Sequence, residues 1–422
     1  MDKIVIRGGN RLEGEVEASG AKNSALPLLF ASLLTDQPSF LRGVPDVADI
    51  RTTIRLLETL GAKIERGGLG ELAIDCSGVN RFDAPYDLVR TMRASFLALG
   101  PLTARFGLAR VSQPGGCAIG SRPVDVHLSA LAGLGARIEH KAGYVESRAD
   151  KLRGGHVILE VPSVGATENV IMAATLARGT TRIENAAREP EIVDLARALL
   201  RMGAQIEGAG ESVIEIEGVE SLGGLNHEVI VDRIEAGTFL VGAAMTRGDV
   251  LVRRARAEDL SVLLEKLEAS GATVSCEREG VRVRADARPR AVDITTAPHP
   301  GFPTDLQAQF MALMCFADGT SSVRETIFEN RFMHVPELSR MGAEIRLSGR
   351  DATVVGQIAL SGAPVMATDL RASVCLILAG AAAEQQTEVL RVYHLDRGYE
   401  RIEEKMCALG ADIERVPMDS PV

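Results

Sequence analysis

Six times along the chain, apolar residues recur at helical spacing just ahead of a glycine. Ile50, Ile54, Leu57 and Leu60 precede Gly61; Ile192, Leu195, Leu199 and Met202 precede Gly203; Tyr399, Ile402, Met406 and Leu409 precede Gly410. Each run has the period of an amphipathic helix, and a glycine past its end suits the left-handed turn that closes one. The glycine opens a tetrad Gly-Ala-x-Ile/Val at Gly61, Gly135, Gly203, Gly271, Gly342 and Gly410, at separations of 74, 68, 68, 71 and 68 residues. A further match, Gly362-Ala363-Pro364-Val365, lacks the preceding helical run and is set aside. Two positions past each glycine an alternating run begins a strand, as in Lys63-Ile64-Glu65, Arg137-Ile138-Glu139 and Asp412-Ile413-Glu414.

Upstream in each repeat lies a more uniformly apolar helix and then a strand, as in residues 25–34 before Ser39-Phe40-Leu41 and 170–177 before Thr181-Arg182-Ile183. The repeat therefore reads helix, strand, amphipathic helix, strand, strand, with the first helix buried and the second half exposed. Six such repeats predict two domains of three, and 422 residues also suit two hydrophobic cores. Solenoids share the habit of repetition, but this unit is too large and too mixed in type for the common helical arrays. A closed three-fold α/β domain, duplicated, is the expectation. Gly and Pro mark turns at the joints, and no long low-complexity linker occurs.

Composition narrows the partners. A net charge of −10 argues against a general nucleic-acid binder but leaves room for a local basic pocket. Of the 47 basic residues only seven are lysine; arginine is the better fork for carboxylate and phosphate. The opening Met1-Asp2-Lys3-Ile4-Val5-Ile6-Arg7 holds too short an apolar run for a signal peptide. The longest weakly apolar stretch, residues 372–383, is far shorter than the roughly 20 residues a membrane span needs. Six cysteines without a CxxC pair form no disulfide framework, so a reducing cytoplasm and no membrane insertion are expected. There is no phosphate-binding loop of the Gly-x4-Gly-Lys-Ser/Thr type and no HExxH, and the seven histidines are scattered. Chemistry without a metal or other cofactor is expected, with arginines stabilising charge.

The starts of the apolar helices carry the candidate chemistry. Ser19-Gly20-Ala21-Lys22-Asn23, Ser163-Val164-Gly165-Ala166-Thr167, Pro303-Thr304-Asp305 and Thr368-Asp369-Leu370-Arg371 offer polar groups that either cap the helix or face a ligand. Lys22 and Arg371 oppose the helix dipole, which an anion lying between charge and amides would relieve; a solvated side chain is the plain alternative. Asp305 and Asp369 are either caps or proton acceptors. Cys315 and Cys375 lie in apolar helical runs, whereas Cys117 lies in the loop pattern Gln113-Pro114-Gly115-Gly116-Cys117 with Arg122 nearby. That setting suits a reactive thiol, or holds an incidental loop cysteine.

Together these segments resemble the bacterial UDP-N-acetylglucosamine 1-carboxyvinyltransferases of the enolpyruvyl transferase family. The likeness runs the full length and includes Arg122-Pro123-Val124-Asp125, Arg331-Phe332-Met333-His334-Val335-Pro336-Glu337-Leu338 and Asp396-Arg397-Gly398-Tyr399-Glu400-Arg401. The resemblance implies a two-domain inside-out α/β barrel of six βαβαββ repeats, three per domain. One domain would span 22–229 and carry the Cys117 loop; the other would join 1–21 to 230–422. The site would lie in the cleft between them, with the Cys117 loop closing over the sugar nucleotide. It also implies phosphoenolpyruvate and UDP-N-acetylglucosamine as substrates, in the first committed step of peptidoglycan precursor synthesis.

By the same resemblance, Lys22, Arg122 and Arg397 would hold phosphoenolpyruvate, with Arg93 and Arg371 nearby. Cys117 would help protonate the methylene carbon or release product, could carry a phosphoenolpyruvate adduct, and would be alkylated by fosfomycin. Asp305 would accept the proton of the sugar 3′-hydroxyl, and Asp369 would join the substrate site. Asn23, Asp305 and Ile327 would contact the sugar; Arg122, Pro123, Val124, Asp125 and Val126 the uridine; Ser163, Val164 and Gly165 the diphosphate. Glu160 stands near where some relatives carry a lysine for the nucleotide phosphates. Two alternatives are weighed. One is the same reaction on shikimate 3-phosphate, by a relative not expected to carry the Pro-Gly-Gly-Cys loop. The other, of a different class, is a six-repeat nucleic-acid clamp. The mixed or acidic amphipathic helices, with Glu58, Asp194, Glu265, Glu268, Glu403 and Glu404, disfavour the clamp. Oligomeric state is left open.

Overall fold

In the computed structural model, which describes residues 2–90, 92–113 and 124–418, all six tetrad glycines adopt positive φ, between 85° and 110°. Only glycine takes that conformation cheaply. The closure is the same each time. Gly203 N–H donates to the Leu200 carbonyl at 3.0 Å and Ala204 N–H to Leu199 at 3.0 Å; Gly342 and Ala343 repeat this on Ser339 and Leu338 at 3.0 and 3.1 Å. The pair of bonds satisfies the last carbonyls of the amphipathic helix. The alanine that follows is buried in all six repeats, which explains the small side chain of the tetrad's second position.

Each repeat contributes to a four-stranded sheet of one topology. In one example the order is His156–Ile158, Thr180–Glu184, Val213–Glu217, Gln205–Glu207. The first pair is parallel and the other two are antiparallel. A parallel pair needs a crossover, and the buried helix Val164–Ala174 supplies it.

The chain forms two units, one of residues 2–19 with 231–418, the other of 20–113 with 124–230. The chain passes from one unit to the other at 19/20 and 230/231. Asp2–Arg7 fills the third place in the sheet of Pro364–Met366, Gln386–Leu390 and Asp412–Pro417. Glu13–Glu17 pairs in parallel with Asp249–Arg253, and Asn226–Glu228 with Ser39–Arg42. At both crossings, therefore, an edge strand belongs to one unit and the helix after it to the other. Asp232 N–H donates to Ser19 O at 2.8 Å within the first unit, and Ala21 N–H to Ile230 O at 2.7 Å within the second.

Each unit has its own core. In the unit containing 231–418, helices Arg233–Thr246, Gln307–Met314 and Leu370–Ala382 pack against one another and bury Phe239, Phe310 and Ile377. In the other unit, Lys22–Ala31, Leu99–Phe106 and Val164–Ala174 bury Phe30, Leu102 and Ile171. The outer helices are amphipathic: Pro190–Arg201 buries Ile192, Leu195 and Leu199 and exposes Arg197 and Arg201. Among the described residues, no helix is long and apolar enough to cross a membrane.

Candidate functional site

In the unit of 231–418 the starts of the three core helices converge. Asp305 lies in the turn Thr304–Leu306 that opens into Gln307–Met314. Arg331 Nη2 donates to its Oδ1 and Arg371 Nη2 to its Oδ2, both at 2.7 Å. The Asp305 side chain keeps 27% of its surface exposed, whereas both arginines are buried. Burial alone would favour the neutral acid, but Arg371 and then Arg331 outweigh it and hold the Asp305 carboxyl well below the usual carboxylate range. In turn Asp305 raises Arg371 above the ordinary guanidinium value, against the pull of burial.

A second layer fixes these groups. Gln309 Nε2 donates to the Asp305 carbonyl at 3.0 Å, to Thr238 Oγ1 at 3.2 Å and to Tyr399 Oη at 3.3 Å. Tyr399 Oη also meets Thr238 Oγ1 at 3.0 Å and accepts from Arg371 Nη1 at 3.3 Å. Burial pushes the Tyr399 phenol up to about 12. Asp369 serves as the N-cap of Leu370–Ala382, accepting from the Arg371 and Ala372 amides at 2.8 and 3.0 Å. Of the two carboxylates singled out in the sequence, then, Asp369 caps its helix and Asp305 is held between cations. Arg397 ends the turn Val392–Arg397, two residues before Tyr399, and is partly buried. Ile327 lies just past the strand Thr320–Arg324, its amide donating to Glu325 at 2.8 Å.

The second unit presents different chemistry. Lys22 opens the core helix Lys22–Ala31 behind Ala21, which lacks a capping side chain among the described residues. Its Nζ meets Asp49 Oδ2 at 3.1 Å, and the Lys22 side chain is only 12% exposed. Lys22 is thus ion-paired and largely buried, not solvated. Asn23 follows, and Ser24 donates to the buried Asp194.

Val124 precedes helix Asp125–Gly133, which carries Val126 and His127; Ser163 caps Val164–Ala174 by accepting from Ala166 N–H at 3.4 Å. These two helix starts meet. A Cβ added to Gly165 would lie 3.1 Å from His127 Cε1, so glycine lets the imidazole edge rest on the helix's first turn. Asn169 Nδ2 lies 3.1 Å from His127 Nδ1; the amide donates there, and the neutral ring carries its proton on Nε2. Burial, and then the charge of Arg93, hold His127 down at about 3. Arg93 opens the turn Arg93–Ala98.

Lys22, Asn23, Arg93, Val124, Asp125, Val126, Ser163, Val164 and Gly165 thus belong to one unit; Asp305, Ile327, Asp369, Arg371 and Arg397 belong to the other. Cys117, Arg122 and Pro123 lie outside the described residues. Cys76, Cys315 and Cys375 are buried, and Cys276 and Cys407 are exposed. Sequence reasoning missed Asp49, whose spacing from Lys22 carries no signal, and gave Arg331 no role although it opens a recognised motif. Among the described residues, no group of three or more His, Cys, Asp or Glu side chains is arranged to hold a metal ion.

Residues 6–406 match the family model described as EPSP synthase (3-phosphoshikimate 1-carboxyvinyltransferase). The chain is 59% identical over 98% of its length to the UDP-N-acetylglucosamine 1-carboxyvinyltransferase of Myxococcus xanthus, covering 99% of that protein. It is 56% identical to the protein of the same name from Geotalea uraniireducens, over 99% of this chain and 100% of that one. The enolpyruvyl transferase NikO from Streptomyces tendae superposes with a TM-score of 0.88 at 26% identity, over 98% of this chain and 99% of that one. EPSP synthase from Acinetobacter baumannii superposes with a TM-score of 0.78 at 18% identity, over 99% and 100% of the two chains, a likeness of fold.

Proposed function

Because this chain belongs to the UDP-N-acetylglucosamine 1-carboxyvinyltransferases within the enolpyruvyl transferase family, we propose that it transfers the enolpyruvyl group of phosphoenolpyruvate to the 3′-hydroxyl of UDP-N-acetylglucosamine and releases phosphate. The observation that carries the chemistry is Asp305 held between Arg331 and Arg371. Such a cluster combines a proton acceptor with cations for an acidic substrate. Arg331 Nη1, buried and without an acceptor among the described residues, leaves a donor for an acid oxygen.

The reaction proceeds by addition and elimination. A proton adds to the methylene carbon of phosphoenolpyruvate, and the adjacent carbon becomes oxocarbenium-like. The sugar hydroxyl attacks that carbon while its proton passes to Asp305. The tetrahedral ketal then loses phosphate and a methyl proton, restoring the alkene on the sugar ether. Lys22, Arg122 and Arg397 neutralise phosphoenolpyruvate, with Arg93 and Arg371 beside them, and Cys117 handles the proton at the methylene carbon or product release. Asn23 and Ile327 hold the sugar, Asp369 contributes to the same site, residues 122–126 hold the uridine, and 163–165 the diphosphate. A guanidinium that turns from Asp305 to a substrate oxygen makes the carboxylate a stronger base at the moment it is needed.

Phosphate release with phosphoenolpyruvate and each acceptor tests the reading. Turnover is expected with UDP-N-acetylglucosamine; turnover with shikimate 3-phosphate alone would reverse it. Fosfomycin is expected to label Cys117 and stop turnover, and Cys117→Ser to escape the label and lose most activity. A label on the exposed Cys276 or Cys407 instead would remove Cys117 from its role.

A further inference from the structure

Glu325 follows the strand Thr320–Arg324, and its carboxylate is buried. Four donors converge on it. Thr296 Oγ1, Ile327 N–H and Phe328 N–H donate to Oε1 at 2.8, 2.8 and 3.2 Å, and Thr304 Oγ1 donates to Oε2 at 2.8 Å. A carboxylate is the side chain that can accept all four, because an amide would present a donor on one side. Thr304 is the residue before Asp305. The same loop returns six residues later to place Arg331 Nη2 on Asp305 Oδ1 at 2.7 Å. Between these two holds, Thr326 is pinned to Thr296, its N–H donating to Oγ1 at 2.8 Å and its hydroxyl to the carbonyl at 2.6 Å. The loop 325–331 therefore grips two adjacent residues, Thr304 with one end and Asp305 with the other.

We propose that Glu325 is a positioning residue for the reaction: through Thr304 and the amides of Ile327 and Phe328 it sets where the Asp305 oxygens point and ties the proposed base to the proposed sugar contact at Ile327. The inference rests on the reading of Asp305 as the base. A buried glutamate anchoring a turn for stability alone would show the same bonds, so the test must separate geometry from folding. Both ends of the bracket act on one short turn, so release of either end displaces the carboxylate. A displacement of about 1 Å at a reacting group costs up to about a hundredfold in rate.

Thr304→Val removes the hydroxyl donor and keeps the shape; Thr304→Ser restores the donor. Glu325→Asp keeps the charge but draws it back by one methylene, too short to serve both Thr304 and the amides. With phosphoenolpyruvate and UDP-N-acetylglucosamine, Thr304→Val and Glu325→Asp are each expected to lower kcat about ten- to a hundredfold. KM for phosphoenolpyruvate should stay within about twofold, and Thr304→Ser should recover kcat to within about threefold. The acid limb of the kcat–pH profile should move upward, since a carboxyl that loses contact with Arg331 or Arg371 titrates higher; the groups facing this cluster are Asp232 beside Arg371 and Tyr399, Asp369 and Arg331 beside His334, which burial holds down at about 4, and Tyr399, pushed up to about 12. Equal kcat and an unmoved acid limb per folded molecule, with only a lowered Tm, would overturn the proposal even if Thr304→Val alone fails to fold. Asp305→Asn run in parallel separates the two claims. If it retains turnover, the base assignment fails and takes this inference with it; if it is inactive while both bracket variants turn over normally, only the bracket fails.

Discussion

The two units share one sheet topology and one helix closure, yet the starts of their core helices differ. In the unit of 231–418, Asp232 and Asp369 cap two of the three core helices, and Asp305 at the start of the third is ion-paired to two arginines. In the other, Ser163 alone among the described residues caps a core helix, and Lys22 sits in the first turn of another. A capped helix start has spent its amide donors, whereas an uncapped one beside a lysine favours an anion. Duplication thus kept the scaffold and varied its helix starts: the proposed base lies in the unit of 231–418, which also carries the proposed cations Arg371 and Arg397, whereas Lys22 and Arg93 are the proposed cations of the other unit. The buried glutamates differ likewise. Glu235 pairs with Lys405 at 2.6 Å and is pushed up to about 6 by burial, which Lys405 opposes. Glu168 has an unpartnered oxygen among the described residues and is raised well above its usual range, by burial and then by Glu191 and Glu189.

The contrast breaks most clearly at two charged residues. Asp305→Asn is expected to lower kcat by about a hundredfold or more while KM values stay close to wild type, measured by phosphate release. Lys22→Ala should instead raise KM for phosphoenolpyruvate about ten- to a hundredfold, the worth of one charge-assisted contact. If both variants lower kcat equally with KM unmoved, the two residues do not differ in this way.

The buried glutamates sharpen the contrast through pH. A carboxyl whose folded pKa is raised adds stability below its unfolded pKa and loses it as pH rises through the folded value. Wild-type protein should therefore lose roughly 2 kcal/mol through Glu235 between pH 4.5 and just above 6, and Glu235→Gln should flatten that slope. Glu168→Gln should raise Tm at pH 7.5, with the gain fading below about pH 4.5. A Glu168→Gln gain that persisted undiminished at pH 4 would mean the carboxyl is not the cause. The smallest effects fall at the shared closure. Gly203→Ala and Gly342→Ala, one in each unit, meet no atom within 4 Å of the new Cβ, so each should cost only the backbone strain of about 1 kcal/mol. Unequal losses in chemical denaturation would show that the two closures are not equivalent.

The repeat, the buried and amphipathic helices and the closing glycines were all legible along the chain, because each helix and its closure depend on contacts three to five residues apart: a helix period, a left-handed turn, a carbonyl one turn back. The cap at Asp369 was legible for the same reason, as one of two readings. The cluster was not. Asp305, Arg331 and Arg371 meet across separations of 26 and 66 residues, and Lys22 meets Asp49 across 27. No local pattern distinguishes these side chains from solvated ones. Likewise the pairing of Asp2–Arg7 with Gln386–Leu390 and Asp412–Pro417 joins opposite ends of the sequence. The amino-acid sequence determined which segments become helices and strands and how each helix ends. Tertiary packing alone decided which charges lie within hydrogen-bond reach, because the energy of a buried ion pair depends on a distance and a degree of burial that spacing along the chain does not encode.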